Sequence, residues 1–215
     1  MNCSFNKTFT NLFFVLLFVF SSTSVAEQSV KIMLFGDSLM AGYGLRQSEN
    51  LASELNIKFD KNNIAVKLIN ASVSGNTSSN GLARIDWSLK DKPNVVVLCL
   101  GANDMLRGID PALTKENLST MIVKIKESGA TLVFAGMRSP ESMGEDYQSQ
   151  FDRLYSDLAK QHGLIFMPFL LENVALEEKY LQGDFKHPNA LGIKVIADNL
   201  YPYIIKGIAA RQVND

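Results

Sequence analysis

Ser38 stands in Gly36-Asp37-Ser38-Leu39, directly after the apolar run Val30 to Phe35, with Gly42 and Gly44 close behind. A hydroxyl on a glycine-flanked turn just past a buried strand is how an α/β protein presents a nucleophile. Far downstream, Asp184-Phe185-Lys186-His187-Pro188 supplies a carboxylate and an imidazole at i and i+3. Ser, Asp, His is one of the known chain orders of the hydrolytic triad. Acyl transfer needs a nucleophile, a base, a group that orients the base, and donors for the developing oxyanion. Ser38 can attack a carbonyl carbon, His187 can take its proton and return it to the leaving group, and Asp184 can hold the other ring nitrogen. Gly75, in Ser72-Val73-Ser74-Gly75-Asn76-Thr77, allows close backbone approach, so its N–H can point at an oxyanion. Asn103, in Gly101-Ala102-Asn103-Asp104, offers a side-chain amide, and the Ser38 N–H is a third donor.

Each segment also has an ordinary structural role. Ser38 alone is a good helix N-cap. Asp184 can be a turn residue, and His187-Pro188 can simply start a helix with proline in its first turn. Asn103-Asp104 can be a turn after a strand. What favours chemistry is their joint occurrence in this order, each beside the end of a predicted element.

Those elements follow from hydrophobic patterning. Short apolar runs at Val30–Phe35, Ala65–Asn70, Val95–Leu100, Thr131–Met137 and Leu164–Met167 predict five strands. Helical stretches lie between them near Glu49–Lys61, Ser79–Leu89, Thr114–Ser128 and Tyr147–Gln161, and a last helix covers about Asn189–Ala209, loosened near Pro202. Leu118, Met121, Ile122 and Ile125 recur at i, i+3, i+4 and i+7. Alternating β and α segments predict an α/β fold, a three-layer α/β/α sandwich on a five-stranded parallel sheet, flavodoxin-like with strand order 2-1-3-4-5. Ligands of such sheets bind beyond the carboxyl ends of the strands, where every chemically suggestive residue falls. Trp87, with Ile85 and Leu89 nearby, is expected to pack, His162 to close a helix at the surface, and Cys99 to be a buried small hydrophobe.

The chain has 215 residues. Lys7, the apolar run Leu12 to Phe20, and Ser24-Val25-Ala26 have the order of a secretory signal peptide cut after Ala26. Residues 1–26 are then the leader and 27–215 one catalytic domain, placed in the periplasm or secreted. The whole chain carries 21 basic and 22 acidic residues; without Lys7 the balance is 20 against 22. No basic stripe occurs, so nucleic acid is not an expected partner, nor is a membrane once the leader is removed. Cys99 is alone after cleavage and the chain has only two histidines, which argues against a disulfide or a zinc site.

The four segments resemble the sequence blocks of the SGNH hydrolases, also called the GDSL esterase/lipase family, over essentially the whole mature chain. Ser38, Gly75, Asn103 and His187 match the residues that give the family its name. Asn70-Ala71-Ser72, Gly81-Leu82-Ala83-Arg84 and Leu106-Arg107-Gly108 are similar to runs of its bacterial acyl-CoA thioesterase, protease and lysophospholipase group, which is periplasmic or secreted. The resemblance implies a serine hydrolase of carboxylic esters or thioesters, with Ser38, Asp184 and His187 as triad and Ser38, Gly75 and Asn103 as oxyanion hole. It implies no metal and no organic cofactor, and a monomer acting on small acyl esters, acyl thioesters or lysophospholipids. It also implies a substrate-binding acyl groove lined by Met105, Leu106 and Ile109 from one loop, with Gly108 as its hinge, and by Arg138 and Pro140 from another. Two departures are Ala102 and Ser139, where relatives often carry Gly and Leu. A sugar O-acetyl esterase and a non-catalytic flavodoxin-like binding domain are the competing expectations.

Overall fold

The computed structural model describes residues 29–212 and Met1; the leader expected at residues 1–26 lies outside the described residues, apart from Met1. Five strands form one parallel sheet: β1 Val30–Gly36, β2 Val66–Asn70, β3 Val95–Cys99, β4 Thr131–Ala135 and β5 Ile165–Met167. Their order is β2-β1-β3-β4-β5, as the spacing predicts. Seven α-helices are described: α1 Ser38–Ala41, α2 Leu51–Lys61, α3 Ser78–Ser88, α4 Ala102–Leu106, α5 Pro111–Glu127, α6 Glu145–His162 and α7 Ala190–Gln212. α3 packs on α5 and α5 on α6 along one side, while α2 packs on α7 along the other. This is the expected three-layer α/β/α sandwich.

The central strands are apolar throughout because both faces are covered. Every residue of β3 is buried, as are Ile32 to Phe35 of β1, while the edge strand β2 is only half-covered. α5 presents Leu118, Met121, Ile122 and Ile125, all fully buried, on the face the periodicity predicts. Cys99 is buried as expected. Pro202 sits inside α7, which continues through it.

Three details differ from the sequence reading. Trp87 is 72% exposed instead of packed. It lies two positions from the buried Ile85 on α3, which turns it by about 200° to the opposite face. Ser38 is not a helix cap: Asp37 occupies the N-cap of α1, its side chain accepting from the Leu39 N–H, and Ser38 is the first helical residue. Finally, the segment after Asn103 begins as a short helix, α4, instead of a loop.

The parallel sheet sends its carboxyl ends to one edge. β1 leads into Ser38, β2 into Gly75, β3 into Asn103 and β4 into Arg138, while Asp184 and His187 precede α7. β1 lies between β2 and β3, so the first three of these loops are neighbours.

Candidate active site

Gly36 lets β1 end against β3. A Cβ there would lie 2.6 Å from the Met40 sulfur and 2.7 Å from the Cys99 carbonyl oxygen. The chain turns at once into α1, leaving Ser38 half-buried with its N–H free of any protein acceptor. The Ser38 hydroxyl donates to His187 Nε2 at 2.9 Å, and His187 Nδ1 donates to Asp184 Oδ2 at 2.5 Å. The aspartate therefore fixes the tautomer in which Nε2 is free to accept the serine proton. The other carboxylate oxygen, Oδ1, accepts the backbone N–H groups of Lys186 and His187, each at 3.0 Å. The His187 ring, with these two N–H groups, holds the Asp184 carboxyl well below the usual carboxylate range.

The loop carrying this pair is tightly turned. Phe185 has φ +56°, a left-handed conformation that is unusual for a bulky residue. Gln182 ties the loop to the nucleophile loop, its side-chain amide donating to the Tyr43 carbonyl at 2.8 Å and the Pro188 carbonyl at 2.9 Å. The Tyr43 ring lies against His187 with centroids 4.5 Å apart.

The oxyanion-hole candidates are joined in one polar web. Gly75 adopts φ +80°, which favours glycine, and its carbonyl accepts from Arg107 Nη2 at 2.9 Å, while its N–H makes no bond to protein. Asn103 Nδ2 donates to the Asn76 carbonyl at 3.1 Å and to Asp37 Oδ2 at 3.3 Å. Asn103 thus touches the neighbour of Gly75 and the neighbour of Ser38. Asp104 is fully buried and accepts from the Ser78 N–H at 2.7 Å and the Ser78 hydroxyl at 2.5 Å, locking α4 to the start of α3.

Asp37 was missed as a site residue by sequence reasoning. Its carboxylate is 1% exposed, and burial pushes its pKa up to about 6. The Leu39 N–H, His187 and the Asn103 amide favour the anion, while Asp104 opposes it. The only sequence signal was an acidic residue directly before the candidate nucleophile.

Beside this web a cavity of ≈ 430 Å³ opens, with Ser38, Asn103 and His187 on its wall. Met105, Leu106, Arg138 and Pro140 line it as expected. Ile109 does not: its carbonyl accepts from the Tyr147 hydroxyl at 2.9 Å outside the cavity, while Gly108, the expected hinge, turns the chain at φ +64°. The opposite wall comes from Phe169, Leu171, Ala175 and Leu176, which sequence reasoning did not single out. The apolar residues after β5 were the available signal, and they look like core. Ala102 and Ser139 also line the cavity, and the Ser139 N–H donates to Asp152 Oδ1 at 2.7 Å. Arg138 lies over the Phe169 ring at 5.1 Å. The walls are apolar and the reacting groups sit at one place on them, an arrangement suited to an acyl chain next to an attacked carbonyl.

The comparisons with known proteins agree with this chemistry. A model of the GDSL-like Lipase/Acylhydrolase family matches residues 34–195. The chain is 37% identical over 193 residues to an arylesterase of Vibrio mimicus, covering 89% of this chain and 96% of that protein. It is 35% identical over 183 residues to the thioesterase 1/protease 1/lysophospholipase L1 of Escherichia coli K12, covering 85% and 86%. Among solved structures, the psychrotrophic esterase EstA from Pseudoalteromonas sp., inhibited by monoethylphosphonate, matches with a TM-score of 0.79 at 32% identity, covering 83% of this chain and 98% of that one.

Proposed function

The chain belongs to the GDSL-like lipase/acylhydrolase family and is a serine hydrolase of esters, and we propose that Ser38 is its nucleophile, with His187 as base and Asp184 as the orienting acid. The observation that carries the assignment is the unbroken line from Ser38 Oγ through His187 to Asp184, at 2.9 and 2.5 Å, on the wall of an apolar cavity.

In the first step the Ser38 oxygen bonds to the substrate carbonyl carbon as its proton passes to His187 Nε2. The Ser38 N–H, the Gly75 N–H and the Asn103 amide stabilise the resulting oxyanion. For Asn103 this means exchanging its longer bond, to Asp37, for the oxyanion while keeping the one to Asn76. The tetrahedral species collapses, the carbon–oxygen or carbon–sulfur bond to the leaving group breaks, and His187 returns the proton to the alcohol or thiol. Water, deprotonated by His187, then attacks the acyl-Ser38 carbonyl and releases the acid. Removing one oxyanion donor from such a site typically costs about 3–4 kcal/mol of transition-state stabilisation.

The acyl portion lies in the cavity against Leu106, Met105 and Phe169. Those walls favour a chain over a sugar ring, which would demand polar partners. The substrates are small acyl esters, acyl thioesters or lysophospholipids, acted on by a monomer; the names of the two curated relatives support this range. Lys7, Leu12 to Phe20 and Ser24-Val25-Ala26 support export to the periplasm or beyond, with 27–215 as the mature domain. Among the described residues no helix is long and apolar enough to cross a membrane.

The test is Ser38→Ala. Turnover of p-nitrophenyl esters and fluorophosphonate labelling are both lost, while the circular dichroism spectrum is unchanged. Purified Ser38→Ala protein that still turns over substrate removes Ser38 from the nucleophile role.

A further inference from the structure

Arg84, on α3, carries a half-buried guanidinium that makes no ion pair with a carboxylate among the described residues. Burial lowers its pKa, and no acidic group counters that shift. An unpaired, partly desolvated cation is costly to keep, so its contacts matter. Nη2 donates to the Gly36 carbonyl at 3.0 Å, at the end of β1 and two residues before Ser38. Nη1 donates to the Ala71 carbonyl, in the segment between β2 and Gly75. Nε donates to Asn76 Oδ1 at 2.7 Å, next to Gly75. The guanidinium carbon lies 3.9 Å from the centroid of the Phe35 ring in β1. Asn76 in turn accepts from the Asn103 amide through its carbonyl.

One planar side chain therefore holds two of the three segments that supply oxyanion donors and reaches the third through Asn76. We propose that Arg84 is the positioning residue that assembles the oxyanion hole, an assignment that rests on Ser38, Gly75 and Asn103 having the roles given above. The rigid fork fixes the relative placement of the loops after β1 and β2 in a way that a single ammonium cannot, because three acceptors lie in different directions. It leaves the Ser38 and Gly75 N–H groups unengaged and turns the Asn76 carbonyl toward one hydrogen of the Asn103 amide, so that only the longer bond, to Asp37, has to be exchanged for the substrate. Arg84 does not line the cavity, so it acts through these loops and not on the substrate.

The test compares wild type, Ser38→Ala, Arg84→Lys and Arg84→Met. Active sites are counted by end-point fluorophosphonate labelling, and kcat and KM are measured on p-nitrophenyl butyrate. Inhibition by an alkyl trifluoromethyl ketone, whose Ser38 adduct carries an oxyanion, is measured in parallel. Arg84→Met should lower kcat per labelled site about 100-fold with KM changed by less than about threefold. The ketone should lose affinity by a similar factor, because it needs the same donors. Arg84→Lys should recover part of the loss, and added guanidinium ion should partly rescue Arg84→Met. If Arg84→Met does not fold, Arg84→Lys decides on the same readings. A kcat per labelled site within about threefold of wild type overturns the role of Arg84, as does a fall in kcat with unchanged ketone affinity. Retained turnover in Ser38→Ala overturns the nucleophile assignment instead, independently of either Arg84 variant.

Discussion

Asp37→Asn should gain stability relative to the wild type as pH rises from 4 to 8, and should be less active. The wild-type carboxylate is buried, and its pKa is raised from 3.8 to about 6. Between those two values the folded state binds more protons than the unfolded state, so stability falls as pH rises through 6. Asp37 thus favours the folded state most below pH 3.8, and that contribution is gone by pH 7. The displacement is worth about 3 kcal/mol in full, and about 2–3 kcal/mol of it falls between pH 4 and pH 7. An asparagine removes the titration. It keeps the acceptor for the Leu39 N–H but sets an amide near the Asn103 amide, where the carboxylate oxygen stood at 3.3 Å. That mismatch shifts the stability of the variant by a constant amount at every pH. The quantity to measure is therefore the pH dependence of the difference between variant and wild type, from urea unfolding at pH 4 to 8. Asp184 titrates in both proteins and cancels. The variant should gain about 2–3 kcal/mol relative to wild type across the range. Curves that stay parallel within about 0.5 kcal/mol refute the reasoning, because Asp37 would then not change its proton occupancy on folding. Activity should fall at all pH values, since Asn103 loses the acceptor that fixes its amide beside the nucleophile.

Asp184→Asn should lower kcat by about 10⁴-fold and His187→Ala by about 10⁶-fold, since the carboxylate orients while the imidazole transfers protons. The double variant should be no worse than His187→Ala alone, and additive losses in steady-state kinetics would contradict a shared pathway. Leu106→Asp should weaken turnover of p-nitrophenyl octanoate at least about tenfold more than turnover of the acetate, because a charge in the cavity wall penalises the longer chain. An equal loss on both esters would remove Leu106 from the acyl groove.

The parts of this molecule that were legible in the sequence are those set by local pattern. Ile32 to Phe35 and Val95 to Cys99 are near-continuous apolar runs, and only strands buried on both faces tolerate that composition. Ser38, Gly75, Asn103 and His187 carry distinctive residue types beside those strands, so parallel topology alone gathers them at one edge. Trp87 failed because neighbours in sequence are not neighbours on a helix face: Ile85 points inward and Trp87 outward. Ile109 failed because the cavity wall is made by Met105 and Leu106 of α4, and the chain past that helix turns to Tyr147.

Asp37 and Arg84 belong to a different class. Asp37 precedes the nucleophile and Arg84 ends the run Gly81-Leu82-Ala83-Arg84, but neither position tells what the side chain touches. Their meaning comes from partners distant in the chain. Asp37 meets Asn103 across 66 positions, and Arg84 meets Gly36 across 48. Asp37 is withdrawn from water and Arg84 half-withdrawn, and among the described residues neither is matched by an opposite charge in an ion pair. A fold optimised only for stability would replace such groups with apolar ones. Their contacts converge on the same loops: Asp37 holds the Asn103 amide and Arg84 holds the Asn76 that orients it. One buried and one half-buried charge directed at one amide are explained together if the placement of that amide limits the rate. On that account the variants of Asp37 and Arg84 should lose activity in a coupled way. Arg84→Met in the Asp37→Asn background should cost far less than about 100-fold in kcat, and full additivity of the two losses would separate their roles.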